Sequence, residues 1–294
     1  MYCYIQAEKA KYPHRKISVM CRVLGVSKSG YYGWLKRLQA PLRGRAAEDL
    51  TLLQEIQSIH AAFQYYGAPR IHRELVKRAH HVGRNRVARL MRLHGIRARR
   101  GKIKSRPRSA PPKRRPEVGD LVRRSFVGSG PNQIWFTDLT MIRTSQGMLR
   151  VAVILDSFNR EVISWAVARH ETPATVMTAL QEAITLRKPP SGCIIHSDRG
   201  YQFTSHEWLQ LARSNGLRPS IGERKSPQDN AMMESWFASL KNEEIYPAGQ
   251  PSTYSEARMR LFRYIHIYNS KRIHSALDYE PPIEYAKMNK QLSA

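Results

Sequence analysis

The fold is decided by residues 134–156, which read IWFTDLTMIRTSQGMLRVAVILD. Two β-rich runs, Ile134 to Arg143 and Leu149 to Asp156, are separated by the turn residues Ser145-Gln146-Gly147. A third β-rich run, Glu161 to Arg169, follows a second turn. Short runs of this kind separated by turn residues predict an antiparallel three-stranded meander.

The segments after the meander alternate between helix and strand. The predicted helices are Thr172 to Arg187, Ser205 to Asn215 and Gln228 to Tyr246, and the predicted short strands are Gly192 to Ser197 and Leu217 to Ile221. Strands followed by alternating helices and strands predict an α/β fold in which helices cover a mixed sheet. Residues 254–269 have the pattern of a final amphipathic helix.

The first hundred residues are predicted to be all-α. Residues 14–40 have the spacing of a helix-turn-helix, with Gly25 at the end of the first helix and a second helix from Lys28 to Arg37. In such units the start of the second helix meets base edges in the major groove, which makes Lys28, Ser29 and Tyr32 candidate DNA contacts. An ordinary helical hairpin is the alternative.

A second helical block is predicted over residues 46–97. It includes a helix from Arg70 to Arg78 with Pro69 in its first turn. A further helix has a basic face over an apolar one, and it offers four candidate contacts to phosphates or bases, Arg84, Asn85, Arg86 and Arg89. A solvated basic surface is the alternative.

Composition and pattern divide the chain into four predicted parts. These are a helical DNA-binding region (1–97), a basic proline-rich linker (98–130), a catalytic α/β core (131–250) and a C-terminal helical extension (251–294).

The charge of the chain favours a polyanionic partner. The sequence holds 49 Lys and Arg against 23 Asp and Glu, and residues 1–130 alone hold 30 against 7. A basic half joined to a near-neutral half is typical of nucleic-acid binding. No apolar run of transmembrane length and no signal peptide is evident, so a membrane partner is not expected. The three cysteines, Cys3, Cys21 and Cys193, have no zinc-site or disulfide spacing and suit a reducing cytoplasm.

Three acidic residues, Asp138, Asp198 and Glu234, are the candidate catalytic and metal-binding residues. The first two end apolar, strand-like runs of sequence, and the third lies in a helical run. Cutting and joining phosphodiesters uses two hard cations about 4 Å apart, and carboxylate oxygens are the ligands such ions prefer.

Neighbouring polar residues have simpler interpretations. Asp156 is interpreted as a turn residue, Asp229 as a helix cap and His196 as a buried, hydrogen-bonded histidine. Lys241 lies two helical turns after Glu234, where it would contact a phosphate or, alternatively, extend into solvent.

Several motifs together resemble a known family. They are PNQIWFTDLT (131–140), HSDRGYQF (196–203), DNAMMESWF (229–237), Tyr268-Asn269 with Arg272 and His274, and the N-terminal segments MCRVLGV (20–26) and YGAPRI (66–71). These segments resemble bacterial insertion-sequence transposases of the IS-three type, in particular their OrfB product, which contains an integrase core. The likeness spans nearly the whole chain.

The resemblance implies an RNase H-like fold and Mg²⁺-dependent strand transfer between transposon ends and target double-stranded DNA. It implies two Mg²⁺ ions, with Mn²⁺ as a substitute. Asp138 would bridge both ions, Asp198 and Glu234 would each complete one site, and Lys241 would contact a phosphate. It further implies a homo-oligomer on DNA in the bacterial cytoplasm and nucleoid, and an upstream OrfA, either as a separate partner or fused to OrfB by frameshifting.

Two other functions remain compatible with the sequence. One is a nuclease of the same fold that cuts DNA without joining it. The other is a non-catalytic DNA-binding regulator derived from a transposase, against which the intact acidic trio argues.

Overall fold

The computed structural model describes residues 1–39, 44–99, 118–122, 128–170, 172–222 and 230–291. Contacts divide the chain into two compact units, residues 1–58 and 59–294. This boundary lies inside the region 1–97 that the sequence interpretation treats as one domain, and most of the predicted linker 98–130 falls outside the described residues. The four-part division therefore stays a prediction.

The described helices and strands follow the predicted order, with additions at both ends. The α-helices are α1 (Tyr2–Lys11), α2 (Ile17–Val23), α3 (Lys28–Gln39), α4 (Arg45–Ala62), α5 (Ala68–Lys77), α6 (Arg84–Leu93), α7 (Pro173–Arg187), α8 (His206–Ser214), α9 (Ala231–Leu240), α10 (Tyr246–Ala248), α11 (Tyr254–Ser270) and α12 (Pro282–Gln291). The strands are β1 (Ile134–Thr144), β2 (Gly147–Asp156), β3 (Val162–Ala168), β4 (Ile194–Ser197) and β5 (Arg218–Ile221).

The first unit contains the predicted helix-turn-helix and an additional helix, α1. Gly25 ends α2 with a φ of 65°, as its place in the sequence predicts. Helix α1 packs on α3, where the Tyr31 hydroxyl donates to Gln6 at 2.5 Å. A Cβ atom at Gly30 would clash with the Tyr2 hydroxyl oxygen, so a glycine at this position lets the Tyr2 side chain of α1 lie against α3.

The second unit is built on a five-stranded mixed sheet in the order β3-β2-β1-β4-β5. Strands β1, β2 and β3 form the predicted antiparallel meander, and β4 and β5 extend the sheet in parallel from β1. With helices on both faces, this is the RNase H-like arrangement that the resemblance implies. The prediction of a mixed sheet covered by helices is confirmed.

Successive side chains of each strand point to opposite faces of the sheet and pack into two separate cores. Phe136 of β1 and Val153 of β2 lie in the core formed with α9 and α11. Trp135 and Ile154, one position along each strand, lie in the core formed with α7 and α8. This alternation determines on which face of the sheet each polar residue of β1 lies.

Helix α5 and the loop that precedes it pack against the C-terminal segment. The Ile273 N–H donates to the Tyr66 hydroxyl at 2.9 Å, and Lys77 forms an ion pair with Glu280 at 2.7 Å. The Arg73 guanidinium lies 4.7 Å from the centre of the Tyr279 ring. Residues 59–99 are therefore part of the compact body that contains the sheet. Among the described helices, none is both long and apolar enough to cross a bilayer.

Candidate active site

Asp138 lies in the middle of β1, not at its end, so the prediction of a strand end is wrong for this residue. The parallel partner β4 pairs with β1 only as far as Phe136 and His196. Strand β1 continues beyond that point because β2 pairs with it through to the hairpin at Gly147. Two residues after Phe136, Asp138 is on the face that packs against α9 and α11.

Asp198 is the first residue after β4, which confirms its predicted position at a strand end. Ile134 pairs with Ile194 and Phe136 with His196, so the same register extended by two positions sets Asp198 beside Asp138. Adjacent strands are roughly 4.8 Å apart, and both carboxylates fall on the same face of the sheet.

The loop after Asp198 supports its carboxylate. The Gly200 N–H donates to Asp198 Oδ1 at 2.9 Å. A Cβ atom at Gly200 would lie 2.3 Å from Nε2 of the buried Gln202 side chain, so the tight turn favours glycine. Arg199 Nε donates to the Gly222 carbonyl at 2.9 Å, which connects this loop to the segment after β5.

Glu234 reaches the site on α9. The buried Asn230 side chain, at the start of this helix, donates to the Thr137 carbonyl of β1 at 3.3 Å. Met233 and Trp236 are buried in the core below, while Glu234 is on the exposed side of the helix. Asn230 therefore fixes the helix that carries Glu234 next to the residue preceding Asp138.

The three carboxylates interact electrostatically. Asp138 as a residue is half-buried, but its carboxyl group is enclosed, and this burial raises its pKa well above the ordinary value. The negative charges of Asp198 and Glu234 raise the Asp138 pKa further, while the Leu139 N–H and Lys241 oppose the rise. Burial also raises the pKa of Asp198, against the N–H of Gly200. A nearby cation would stabilise these carboxylates in their charged form.

Lys241 is next to this cluster. It begins a π-helical turn, Lys241–Ile245, that directly follows α9. Burial lowers the pKa of its ammonium group, and the charge of Asp138 partly opposes this effect. The charge of Lys241 thus acts on Asp138, and the sequence predicts a phosphate contact for this lysine.

The donor set suits a hard divalent cation. All three candidate ligands are carboxylates, which favour Mg²⁺ or Mn²⁺ over softer ions. In the described part of the chain, no three His, Cys, Asp or Glu side chains are arranged closely enough to hold a metal ion by themselves. An open arrangement is compatible with Mg²⁺, which uses one or two protein carboxylates and keeps several waters.

The competing polar residues have structural roles. Asp156 is buried, and its carboxylate accepts the N–H groups of Asn132 and Phe158 at 2.8 and 2.9 Å, as expected for a turn residue. His196 is buried, and its Nδ1 lies 2.9 Å from Ser220 Oγ in a hydrogen bond, which confirms that interpretation. Asp229 lies outside the described residues.

The candidate DNA contacts lie at the starts of two helices. Lys28, Ser29 and Tyr32 are exposed on the first two turns of α3, where Ser27 Oγ accepts the Gly30 N–H at 3.0 Å. Arg84 and Asn85 are exposed at the start of α6, while Arg86 and Arg89 are half-buried there. The two groups lie in different compact units. Their role in DNA binding stays a prediction.

Sequence reasoning missed a buried ion cluster beneath the site. Arg272, only 3% exposed, donates to both carboxylate oxygens of Glu243 at 2.8 and 2.6 Å. The Tyr264 hydroxyl donates to the same carboxylate at 3.0 Å, and Arg70 lies 4.0 Å from it. The quoted motifs already contain Arg70 and Arg272, but Glu243, their partner, had no distinctive sequence context.

Comparison with known proteins gives the class. Residues 128–227 match a family model described as an integrase core domain, and residues 215–282 match a second model of the same description. Residues 47–104 match a model described as an HTH-like domain. The fold and these matches define a protein of the integrase-core class.

Curated relatives give the family. The chain is 36% identical over 281 residues to transposase InsF for insertion sequence IS3A of Escherichia coli, covering 93% of this chain and 94% of that protein. It is 33% identical to an IS600 insertion-element 31 kDa protein of Shigella sonnei, over 94% of this chain and the whole of that protein. The chain belongs to the IS3 family of insertion-sequence transposases.

Solved structures resemble the chain less closely. The HTLV-2 integrase catalytic core domain in complex with magnesium is 20% identical to it, with a TM-score of 0.43. The alignment covers 54% of this chain and 99% of that domain.

Proposed function

We propose that this transposase cuts DNA at the ends of an insertion sequence and joins the freed ends to target DNA, with divalent metal ions at the acidic trio. The main support is the parallel register of β1 and β4. It brings Asp138 and Asp198 to one face of the sheet, next to the helix that carries Glu234. Two carboxylates side by side repel each other, so their adjacency favours a site that binds a cation.

Two Mg²⁺ ions, or Mn²⁺ as a substitute, would be held by the carboxylates of Asp138, Asp198 and Glu234. When bound, such ions activate the attacking oxygen and stabilise the leaving one. The rest of the chain positions the DNA. Lys241 would hold a phosphate beside the carboxylates, and the hydrogen bond from Asn230 to the Thr137 carbonyl holds α9 next to β1.

The proposed reaction has two displacements at phosphorus. First, water attacks the scissile phosphate, and the bond from phosphorus to the 3′-oxygen breaks, which leaves a 5′-phosphate and a free 3′-hydroxyl. That hydroxyl then attacks a target phosphate and displaces a second 3′-oxygen. Neither step requires a covalent bond between DNA and the protein.

Binding and assembly complete the proposal. The exposed starts of α3 and α6 would contact the transposon end, with Lys28, Ser29, Tyr32, Arg84, Asn85, Arg86 and Arg89 as base or phosphate contacts. The active form would be a homo-oligomer on DNA, assisted by an upstream OrfA as partner or frameshift fusion. Its substrate would place it on the bacterial nucleoid.

Conservative amide variants test this proposal. Asp138→Asn, Asp198→Asn and Glu234→Gln should each abolish cutting and joining of labelled end DNA in Mg²⁺, while circular dichroism and DNA binding stay close to wild type. The amides keep the shape of the side chain but lose the charge that binds a cation. Because the three residues would act as one unit, double variants should be no worse than single ones.

Asp156→Asn is the matched control, because Asp156 is a buried carboxylate on β2, the strand that pairs with β1. It should lose stability but retain activity. A fully active Glu234→Gln protein, or a folded and DNA-binding Asp156→Asn protein without activity, would show that other carboxylates do the chemistry. Cutting without joining would indicate a nuclease, and binding without either reaction a regulator.

A further inference from the structure

A polar pocket lies beside the candidate active site. Its volume is about 120 Å³, several times what one water molecule needs. It begins at Ser235, the residue that follows Glu234 on α9, and continues one helical turn further to Ser239. The arginine and serine side chains that line it are Arg70, Arg160, Arg272, Ser235, Ser239 and Ser275.

The pocket has an excess of positive charge. None of the described residues that line it is acidic. Glu243 lies behind it and is engaged in a two-oxygen hydrogen-bonded pair with Arg272, so Arg70 reaches this carboxylate only at 4.0 Å. A single carboxylate therefore balances two guanidinium groups, and Arg160 adds a third positive charge.

Arg160 is held in place by its turn. It follows β2 with a φ of 60°, a left-handed conformation that is uncommon for a residue other than glycine. The preceding Asn159 side chain donates to the Pro282 carbonyl at 3.1 Å. Together with burial and the charges of Arg272 and Arg70, Arg160 lowers the pKa of His274 in the pocket wall to about 2. The histidine is thus neutral, and the guanidinium groups set the potential of the pocket.

We propose that this pocket binds one backbone phosphate of the DNA strand that occupies the candidate active site. Arg160 and Arg70 would contact the phosphate oxygens, and the serine hydroxyls would donate further hydrogen bonds. Guanidinium groups match phosphate geometry and form strong charge-assisted hydrogen bonds with it. This inference rests on the proposed function, because the adjacency of Ser235 and Glu234 is what makes a DNA phosphate the occupant and not a free anion.

The test pairs a protein change with a DNA change. End DNA is made with a single neutral methylphosphonate at each of the phosphates that flank the cleavage position, and affinity is measured for wild type, Arg160→Gln and Arg213→Gln. Arg213 is the matched control, since it is an exposed arginine on α8, which packs on the opposite face of the sheet.

One phosphate position should behave differently from the others. Wild type and Arg213→Gln should lose roughly tenfold or more in affinity when that position is neutral, because a charge-assisted hydrogen bond is lost. Arg160→Gln should bind the unmodified DNA correspondingly more weakly and lose little more at that position. If Arg160→Gln loses affinity at every position just as wild type does, the pocket holds no backbone phosphate.

Two outcomes separate this inference from the proposed function. If cleavage depends on Asp138 but Arg160→Gln binds DNA as tightly as wild type, the proposed function stands and the proposed phosphate site in the pocket is refuted. Inorganic phosphate at constant ionic strength could instead stabilise the wild type but not Arg160→Gln, while the two proteins bind DNA with equal affinity. That result would assign the pocket to a free anion and would also overturn this inference. Absence of end-DNA binding by the wild type would overturn both.

Discussion

At the scale of single residues, the cluster around Arg272 accounts for a motif whose role the sequence left open. Asn269 pairs with both backbone polar groups of Val162 at the start of β3, at 3.0 and 2.9 Å. The Tyr268 ring is buried against Trp236 of α9. Arg272 neutralises Glu243. The motif therefore ties the end of α11 to the sheet edge and to the helix that carries Glu234.

His274 in the same cluster predicts a pH dependence of stability. Its ordinary pKa is 6.5, and burial and the three arginines lower it to about 2 in the folded chain. Between these values the unfolded chain binds the extra proton, so stability is complete above pH 6.5 and falls as the pH decreases. At pH 5 the loss should be about 2 kcal/mol relative to pH 7.5.

Urea unfolding of wild type and His274→Gln at pH 7.5 and pH 5 measures this loss. The variant should be less stable at pH 7.5 but should lose about 2 kcal/mol less on acidification. His266→Gln, at an exposed histidine on α11, is the control and should follow the wild type. Parallel pH profiles for wild type and His274→Gln would contradict the prediction.

At the scale of elements, the helix after β5 differs from its pattern. The sequence from Gln228 to Tyr246 contains neither glycine nor proline and predicts one continuous α-helix. The structure has α9, a π-helical turn at Lys241–Ile245 and the short α10. Such turns are frequent at functional sites. This one places Lys241 near Asp138 and, two residues later, Glu243 against Arg272.

The hairpin between β1 and β2 predicts the effect of a small substitution. Gly147 has a φ of 129°, and a Cβ atom there would lie 2.6 Å from the Tyr254 hydroxyl, which donates to the Gln146 carbonyl. Gly147→Ala should therefore lower the free energy of unfolding by about 1–3 kcal/mol, measured by urea denaturation.

Gly83→Ala is the control for this change. Gly83 has an ordinary φ of −80°, and no atom lies within 4 Å of an added Cβ. Its effect should stay below about 1 kcal/mol. Equal losses for the two variants would mean that neither the hydroxyl contact nor the left-handed backbone matters.

At the scale of the whole molecule, the boundary between the two compact units is not the point where the basic part of the sequence ends. Residues 1–43 hold 9 Lys and Arg and 1 acidic residue, so their removal leaves 40 basic and 22 acidic residues. The helices of residues 59–99 contact the C-terminal segment in the larger unit. Most of the basic excess thus stays with the unit that contains the sheet.

Deletion of residues 1–43 should therefore weaken DNA binding without removing its salt dependence. The logarithm of affinity falls with the logarithm of salt concentration by roughly 0.9 for each neutralised phosphate. The truncated chain should keep more than half of the wild-type slope, measured by fluorescence anisotropy, and its preference for end DNA over random DNA should decrease because the contacts of α3 are lost. A slope near zero would place the phosphate contacts in the deleted segment.

Local patterns in the sequence were enough to predict the three strands of the meander, most helices and the family, while the role of the acidic trio stays a prediction. Helical and strand periods, turn residues and motifs are properties of neighbouring residues, so they can be read without a fold. Helix α1 was not predicted, because its apolar residues acquire a partner only when Tyr2 packs on Gly30 of α3.

Only the tertiary structure decided which of these residues meet. The position of Asp138 within β1 depends on where its pairing with β4 stops, and its proximity to Asp198 depends on parallel register. The pair of Arg272 and Glu243 joins a loop to a π-helical turn, and the Tyr66 hydroxyl meets a backbone group 207 positions away. Such pairings come from packing and desolvation across the whole fold, which no local period encodes.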